Sequence, residues 1–206
     1  MNIFFDLDGT LLDSRHRLYK LFQSLVPSSE FSFDAYWELK RNKTGHAEIL
    51  KNQFHFSHSE TEEFEKKWME QIELPEWLGL DKPFAGVTGF LNELKTNNSL
   101  YVVTARQFEN ETLQQIDGFG WTGVFEKILI TGQKEEKINL IRKAMDPDPT
   151  DWMVGDTGKD IQAGKALGIR TAAVLSGFLN EKSLLPYDPD VIVNHVTDLD
   201  FKLKEA

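Results

Sequence analysis

The chain has no cysteine among its 206 residues. That excludes a disulfide framework and any thiolate metal site, and it fits a reducing compartment. Positive charge is scarce: 23 Lys and Arg stand against 33 Asp and Glu, a formal net charge of −10. With no long basic run to offset it, this balance disfavours sequence-independent binding to nucleic acid or to an anionic membrane. No apolar run approaches about 18 residues, so no membrane-spanning helix is expected. The N-terminus runs from Met1 straight into an expected strand, without a basic segment or a small-residue cleavage site. Internal repeats and low-complexity tracts are lacking too. The expectation is a soluble cytoplasmic protein without nucleic-acid or membrane partners, monomeric or homodimeric.

What is present is a hydrophobic fraction of 40%, enough for one core plus a small inserted unit. Short apolar runs recur at Asn2 to Phe5, Leu100 to Val103, Ile128 to Ile130, Trp152 to Val154, Thr171 to Leu175 and Val191 to Val193. Segments of helical period lie between most of them: Gly86 to Lys95, Phe108 to Ile116, Glu136 to Met145 and Lys159 to Leu167. Fully apolar strands alternating with helices predict an α/β fold, a Rossmann-like parallel sheet covered by helices on both faces. Ligands in such sheets sit at the carboxyl ends of the strands.

One region breaks the rhythm. From about Arg15 to about Lys82 no strand is expected, and amphipathic helices take over, beginning with Leu18, Leu21, Phe22 and Leu25 at i, i+3, i+4, i+7. Ser59 with Glu62 reads as the capping box of a helix carrying Phe64, Trp68 and Ile72. Asp81-Lys82-Pro83 reads as a linker back into the core. The division expected is residues 1–14 and 83–206 for the α/β core, and 15–82 for a helical insertion over the strand ends. Phe22, Trp37, Phe64 and Trp68 are expected in the core of that insertion. His55 and His58, spaced i, i+3 without a carboxylate pattern, read as surface or packing residues.

The first strand ends in Phe4-Phe5-Asp6-Leu7-Asp8-Gly9-Thr10. Alternate residues of an extended chain face the same side, so Asp6 and Asp8 hold like charges roughly 6 to 7 Å apart. A cation or a shared proton must resolve that repulsion. Gly9 permits close backbone approach, and Thr10 offers a hydroxyl and an amide to an anion. A second strand end, Val102-Val103-Thr104-Ala105-Arg106, supplies a hydroxyl donor in Thr104, with Ala105 and Arg106 beside it as substrate contacts. A third, Val154-Gly155-Asp156-Thr157-Gly158-Lys159-Asp160, adds Asp156, and Asp160 one turn later, where an acid also complements the helix dipole. Three carboxylates on strand ends form a hard-cation site, and magnesium suits it because it takes few protein carboxylates together with water and substrate phosphate. Lys134 and Lys137 lie beyond the strand ending at Ile130, each within reach of a phosphoryl group.

Phe4 to Ser14, Val102 to Arg106, a lysine before a helix, and Val154 to Ile161 together resemble the four ordered motifs of the haloacid dehalogenase-like (HAD) hydrolase superfamily. The resemblance spans essentially the whole chain, and the insertion resembles the small helical cap of phosphoglycolate phosphatase-like and β-phosphoglucomutase-like members. It implies that Asp6 is a nucleophile attacking phosphorus, and that Asp8 is the acid that protonates the leaving alcohol and then the base that activates water. It also implies magnesium held by the Asp6 carboxylate, the Asp8 carbonyl and Asp156, with Asp160 an additional or outer ligand. Members that cleave carbon–halogen or carbon–phosphorus bonds usually carry another residue at the position of Asp8, so a phosphate ester of a small metabolite is implied. For the lysine, Lys137 keeps a family-like Lys-x-x-x-Ile-x-x-Ala phasing with Ile141 and Ala144, whereas Lys134 better matches the usual distance to the fourth motif; the phasing favours Lys137. The stretch Arg41 to His46 resembles the cap loop that lowers onto the site, which would give Arg41, Lys43 and His46 contact with substrate. The leading expectation is a magnesium-dependent phosphatase acting through an aspartyl-phosphate. The alternatives are a phosphomutase and a non-catalytic binding protein on the same fold.

Overall fold

The computed structural model describes residues 1–201. Its sheet has six parallel strands, β1 (Asn2–Phe5), β4 (Ser99–Thr104), β5 (Lys127–Ile130), β6 (Trp152–Gly155), β7 (Arg170–Val174) and β8 (Val191–Val193), in the order β5-β4-β1-β6-β7-β8. Strand connections run outward in opposite directions from β1 and β6, so the crevice outside these two strand ends is the topological switch point. Two further strands of two residues each, β2 (Leu12–Asp13) and β3 (Lys82–Pro83), pair antiparallel. The expected linker back into the core is thus partly a strand, too short to leave a periodic signal in sequence.

The apolar strands are buried on both sides. Ile3 and Phe5 face one cluster with Val87 and Leu91 of α6 (Val87–Leu94) and Ile116 of α7 (Glu109–Gly118). Phe4 points the other way, into a cluster with Tyr101, Met153 and Ile141 of α8 (Lys137–Ala144). On that side α9 (Gly158–Leu167) contributes Ile161, packed with Ala173 and with Leu184 of α10 (Glu181–Leu184). Residues alternate between faces as the two-residue period of a strand requires.

Between β2 and β3 the chain is helical: α1 (Arg15–Leu25), α2 (Phe33–Arg41), α3 (His46–Phe54), α4 (His58–Gln71) and α5 (Pro75–Leu78). Their inward faces make a separate apolar cluster around Leu21, Phe22, Tyr36, Trp37, Leu50 and Phe64, with Trp68 packed against it. The side chain of Ser32 caps α2 by accepting from Ala35 N (3.2 Å). The capping box of α4 is Ser57 with Glu60, not Ser59 with Glu62: Glu60 Oε2 accepts from Ser57 N at 2.8 Å, which starts the helix two residues earlier and leaves Ser59 in its first turn. His55 takes a left-handed conformation at the end of α3, and His58 lies on the surface beside Glu62 (3.3 Å), so neither is placed for a metal. Among the described residues no helix is long and apolar enough to cross a membrane.

Candidate active site

At the switch point β1 and β6 deliver their carboxylates side by side. The amide of Asp6 still belongs to the sheet, donating to Val154 O (2.8 Å), so the side chain leaves from the last paired position. The chain then turns sharply, with Gly9 N donating to Leu12 O (2.8 Å). Gly9 takes a φ of +86°, and a Cβ there would run into the Asp156 carboxylate. A Cβ on Gly177 would overlap the same carboxylate, and one on Gly155 would overlap Asp160. The backbone has been thinned wherever an acidic side chain must fit, which is a role only glycine fills.

Asp6, Asp156 and Asp160 are all buried, and each offers a carboxylate oxygen within 4.8 Å of the others. Lys137 Nζ donates to Asp6 Oδ1 and to Asp160 Oδ1, the latter at 2.6 Å. The other oxygen of Asp160 accepts from Thr157 N (3.1 Å) and Thr157 Oγ1 (2.6 Å), closing the capping box of α9. Asp160 is therefore both helix cap and anchor for the lysine. Asp156 Oδ2 accepts from Phe178 N (2.6 Å), while its Oδ1 is buried with no hydrogen-bond partner. An orphaned buried acceptor is costly unless something else satisfies it.

Electrostatics point the same way. Burial pushes the Asp6 carboxyl up to about 7, against the pull of Lys137 and with a further push from Asp160 and Asp8. Burial also raises Asp156 well above the carboxylate range, and the charges of Asp6 and Asp160 add to this. Burial alone would lower Lys137, but Asp160 and Asp6 hold it above the usual lysine value. Three carboxylates facing one ammonium leave two negative charges uncompensated, which a divalent cation with oxygen ligands would neutralise. The residues thus fit a divalent cation.

Asp8 has different company. Arg106 grips it bidentately, Nε to Oδ2 at 2.8 Å and Nη2 to Oδ1 at 2.8 Å, and Arg17 Nη2 donates to Oδ1. Burial would raise the Asp8 carboxyl, but these guanidinium groups outweigh it and hold it well below the usual range. Thr104 is buried at the end of β4, its hydroxyl oxygen receiving only the Arg106 amide at 3.4 Å. Thr10 is fully buried with its hydroxyl unpartnered.

Thr10 does not line the cavity, but Asp6, Asp8, Thr104, Lys137, Asp156 and Asp160 open into one of about 270 Å³ whose opposite wall comes from the helical segment: Leu18, Trp68, Met69 and Ile72. Ala105, exposed, lies on its rim. Lys134 faces a neighbouring cleft of about 460 Å³ instead. The three residues expected from the cap loop do not line the cavity. His46 sits in the aromatic cluster, 4.2 Å from Trp68 between ring centroids and hydrogen-bonded to Tyr36 Oη (2.9 Å). Lys43 donates to Tyr187 Oη (2.7 Å), and Arg41 lends its carbonyl to Asn180 N (3.3 Å). His46 carries a helical signal, since it lies at i relative to buried Ile49 at i+3 and Leu50 at i+4. Arg17 and Asp81, both buried, carry none.

Residues 3–174 match the family of haloacid dehalogenase-like hydrolases. This chain belongs to that family. Two relatives with assigned activities align along nearly their whole length. One is a phosphoglycolate phosphatase from Aquifex aeolicus, 26% identical over 96% of this chain and 93% of its own. The other is an N-acetylmuramic acid 6-phosphate phosphatase from Pseudomonas putida, 25% identical with the same coverage. Among solved structures, a haloacid dehalogenase-like family protein from Streptococcus pneumoniae superposes with a TM-score of 0.75 at 22% identity, covering 94% of this chain and 93% of that one. For a HAD hydrolase, the acidic strand ends of β1 and β6 and the helices facing them form the place to look for chemistry.

Proposed function

We propose that this HAD hydrolase is a magnesium-dependent phosphatase of small phosphorylated metabolites, working through an aspartyl-phosphate, with the helices of residues 15–82 as its cap. The observation that carries the reading is the buried set of Asp6, Asp156, Asp160 and Lys137 at the switch point, with the partnerless Asp156 Oδ1 among them. The two phosphatase relatives support the reaction class. Asp6, Asp156 and the Asp8 carbonyl would hold the ion, with Asp160 next to them. When bound, magnesium supplies positive charge against the phosphoryl oxygens and the buried carboxylates.

The rest is the work of side chains. Asp6 attacks phosphorus, and its Oδ–P bond forms as the ester P–O bond breaks. Asp8, which Arg17 and Arg106 hold ionised in this structure, takes up a proton as it turns from them to the substrate and gives it to the departing alkoxide; in the second half it takes a proton from water as the water oxygen attacks phosphorus and the Asp6–P bond opens. Lys137 and Thr104 place donors against the equatorial oxygens, where most catalysis of phosphoryl transfer resides. Ala105 on the rim borders the leaving group, with buried Arg106 beside it holding Asp8, whereas Thr10 is buried outside the cavity. On the cap, Trp68 and Met69 are the proposed contacts, since Arg41, Lys43 and His46 stand away from the cavity. The test is a panel of phosphate esters, including phosphoglycolate and N-acetylmuramic acid 6-phosphate, assayed for magnesium-dependent phosphate release with Asp6→Asn as the blank. Release that Asp6→Asn abolishes supports the reading. Isomer formation in place of phosphate would make the protein a mutase, and identical behaviour of Asp6→Asn and the parent would remove the enzyme.

A further inference from the structure

Asp81 lies on the segment joining α5 to β3, and its side chain is shut off from solvent. Burying a carboxylate so completely requires partners, and it has three. It accepts from Arg17 Nε (3.0 Å), from Arg106 Nη2 (3.2 Å) and from Gln115 Nε2 (3.1 Å). Two of these are the guanidinium groups that grip Asp8. Arg17 comes from α1 and Arg106 from the loop after β4, so Asp81 ties together a helix of the cap, the joining segment and the core.

We infer that Asp81 is a positioning residue for Asp8: its buried carboxylate holds Arg17 and Arg106 in the orientation from which they present Asp8 to the leaving oxygen. A guanidinium is a rigid planar fork, so fixing one edge fixes the others. With Nε of Arg17 on Asp81 and Nη1 on Ile72 O (3.1 Å), only Nη2 is left for Asp8. Arg106 shares Nη2 between Asp8 and Asp81 and leaves Nη1 buried without a partner. The cluster therefore balances two cations with two carboxylates. Remove the charge of Asp81, and both arginines must be satisfied by Asp8 alone. Held on both oxygens by an excess of positive charge, the Asp8 carboxyl is less free to turn to the substrate.

A second tie keeps the same parts in register. Glu73, in the turn between α4 and α5, accepts from the amides of Gln107 (2.9 Å) and Phe108 (3.0 Å) directly beyond Arg106. The chain on either side of α5 is thus fastened to the loop after β4, and the placement of α1 reaches the chemistry through Arg17. The inference rests on the reading of Asp8 as proton donor.

Its test compares the leaving-group dependence of kcat/KM for the full-length protein with magnesium. Nitrophenolate leaves from p-nitrophenyl phosphate with little help from an acid, whereas the alkoxide of glycerol phosphate needs its proton. In Asp81→Asn the ratio of kcat/KM for p-nitrophenyl phosphate over glycerol phosphate should rise by threefold or more, of order tenfold. A ratio that moves by less than threefold overturns the inference, because loss of structure alone depresses both esters together. Should Asp81→Asn fail to give a cooperative thermal transition, Arg17→Lys replaces it. That variant keeps the charge but lacks the rigid fork that fixes one edge on Asp81 while presenting another to Asp8, and the same threshold applies. If the wild type releases phosphate from no ester at all, the phosphatase reading falls and takes this one with it.

Discussion

Asp160 and Lys137 are bound to each other at 2.6 Å across 23 residues, and the same aspartate closes the capping box of its own helix. The lysine is thereby fixed from the floor of the site and aimed at Asp6, while Lys134, three residues earlier, is exposed on the neighbouring cleft. Replacing Lys137 by alanine should lower kcat for phosphate release by about 10² to 10³, the usual cost of one preorganised donor at a developing charge. Lys134→Ala should retain turnover within about threefold of wild type. Steady-state assays on a single ester decide the matter; the reverse pattern would reassign the lysine.

On the proposed reading, protons and magnesium should compete for one set of carboxylates. Burial holds Asp6 near 7 against an unfolded value of 3.8. For an acid whose folded pKa is raised, stability is fully present below the unfolded value and is lost as pH rises through the folded one. Without metal, the Asp6 contribution should therefore decline between about pH 4 and 7. Magnesium removes that penalty, so its stabilising shift in thermal melts should be larger at pH 8 than at pH 5, and about 2.7 kcal/mol at one hundred times its Kd. Asp156→Asn should show almost no shift. A magnesium shift equal at both pH values would mean that the ion binds elsewhere.

The parts of this design that follow local rules could be read from sequence. Each apolar run became a strand within a residue or so, because burial on both faces leaves an unbroken apolar signature. The carboxylates of β1 and β6 were legible for the same reason, since a charge ending such a run has no structural excuse. Arg17 and Asp81 were not. They are 64 residues apart, each looks like an ordinary surface charge in its own segment, and only the closure of α1 onto the joining segment makes them partners. Gly177 was equally hidden, because its need for an absent Cβ is set by Asp156, far away in the chain.

That hidden glycine gives a steric prediction. The backbone of Gly177 is not left-handed, so alanine is conformationally allowed there and the nearest obstacle is the Asp156 side chain. Gly177→Ala should displace that side chain and weaken the magnesium dependence of activity at least tenfold, a loss typical of disturbed ligand support, while the fold persists. Gly89→Ala is the contrast. Nothing lies within 4 Å of its added methyl, and it sits inside α6, so it should raise stability by about 0.5 to 1 kcal/mol. Magnesium titrations of activity and thermal melts of both variants separate the two effects.

The cap should fail first in acid, and His46 is the reason. Its ring is packed against Phe22, Phe64 and Trp68, and burial together with the charge of Lys40 pushes its pKa down to about 3 from 6.5. A base whose folded pKa is depressed takes up its proton more readily when unfolded, so its contribution is intact above 6.5 and is lost progressively as pH falls toward 3. Between pH 7 and pH 5 the loss comes to about 1 to 2 kcal/mol after allowance for partial exposure of the ring. Gln in its place still offers Tyr36 a hydrogen-bonding partner but cannot be protonated. Denaturant titrations at the two pH values should therefore show the wild type losing that much more than His46→Gln. Equal losses in the two proteins would mean that the ring already accommodates a proton in the folded cap, and that the aromatic cluster opens far more readily than its packing implies.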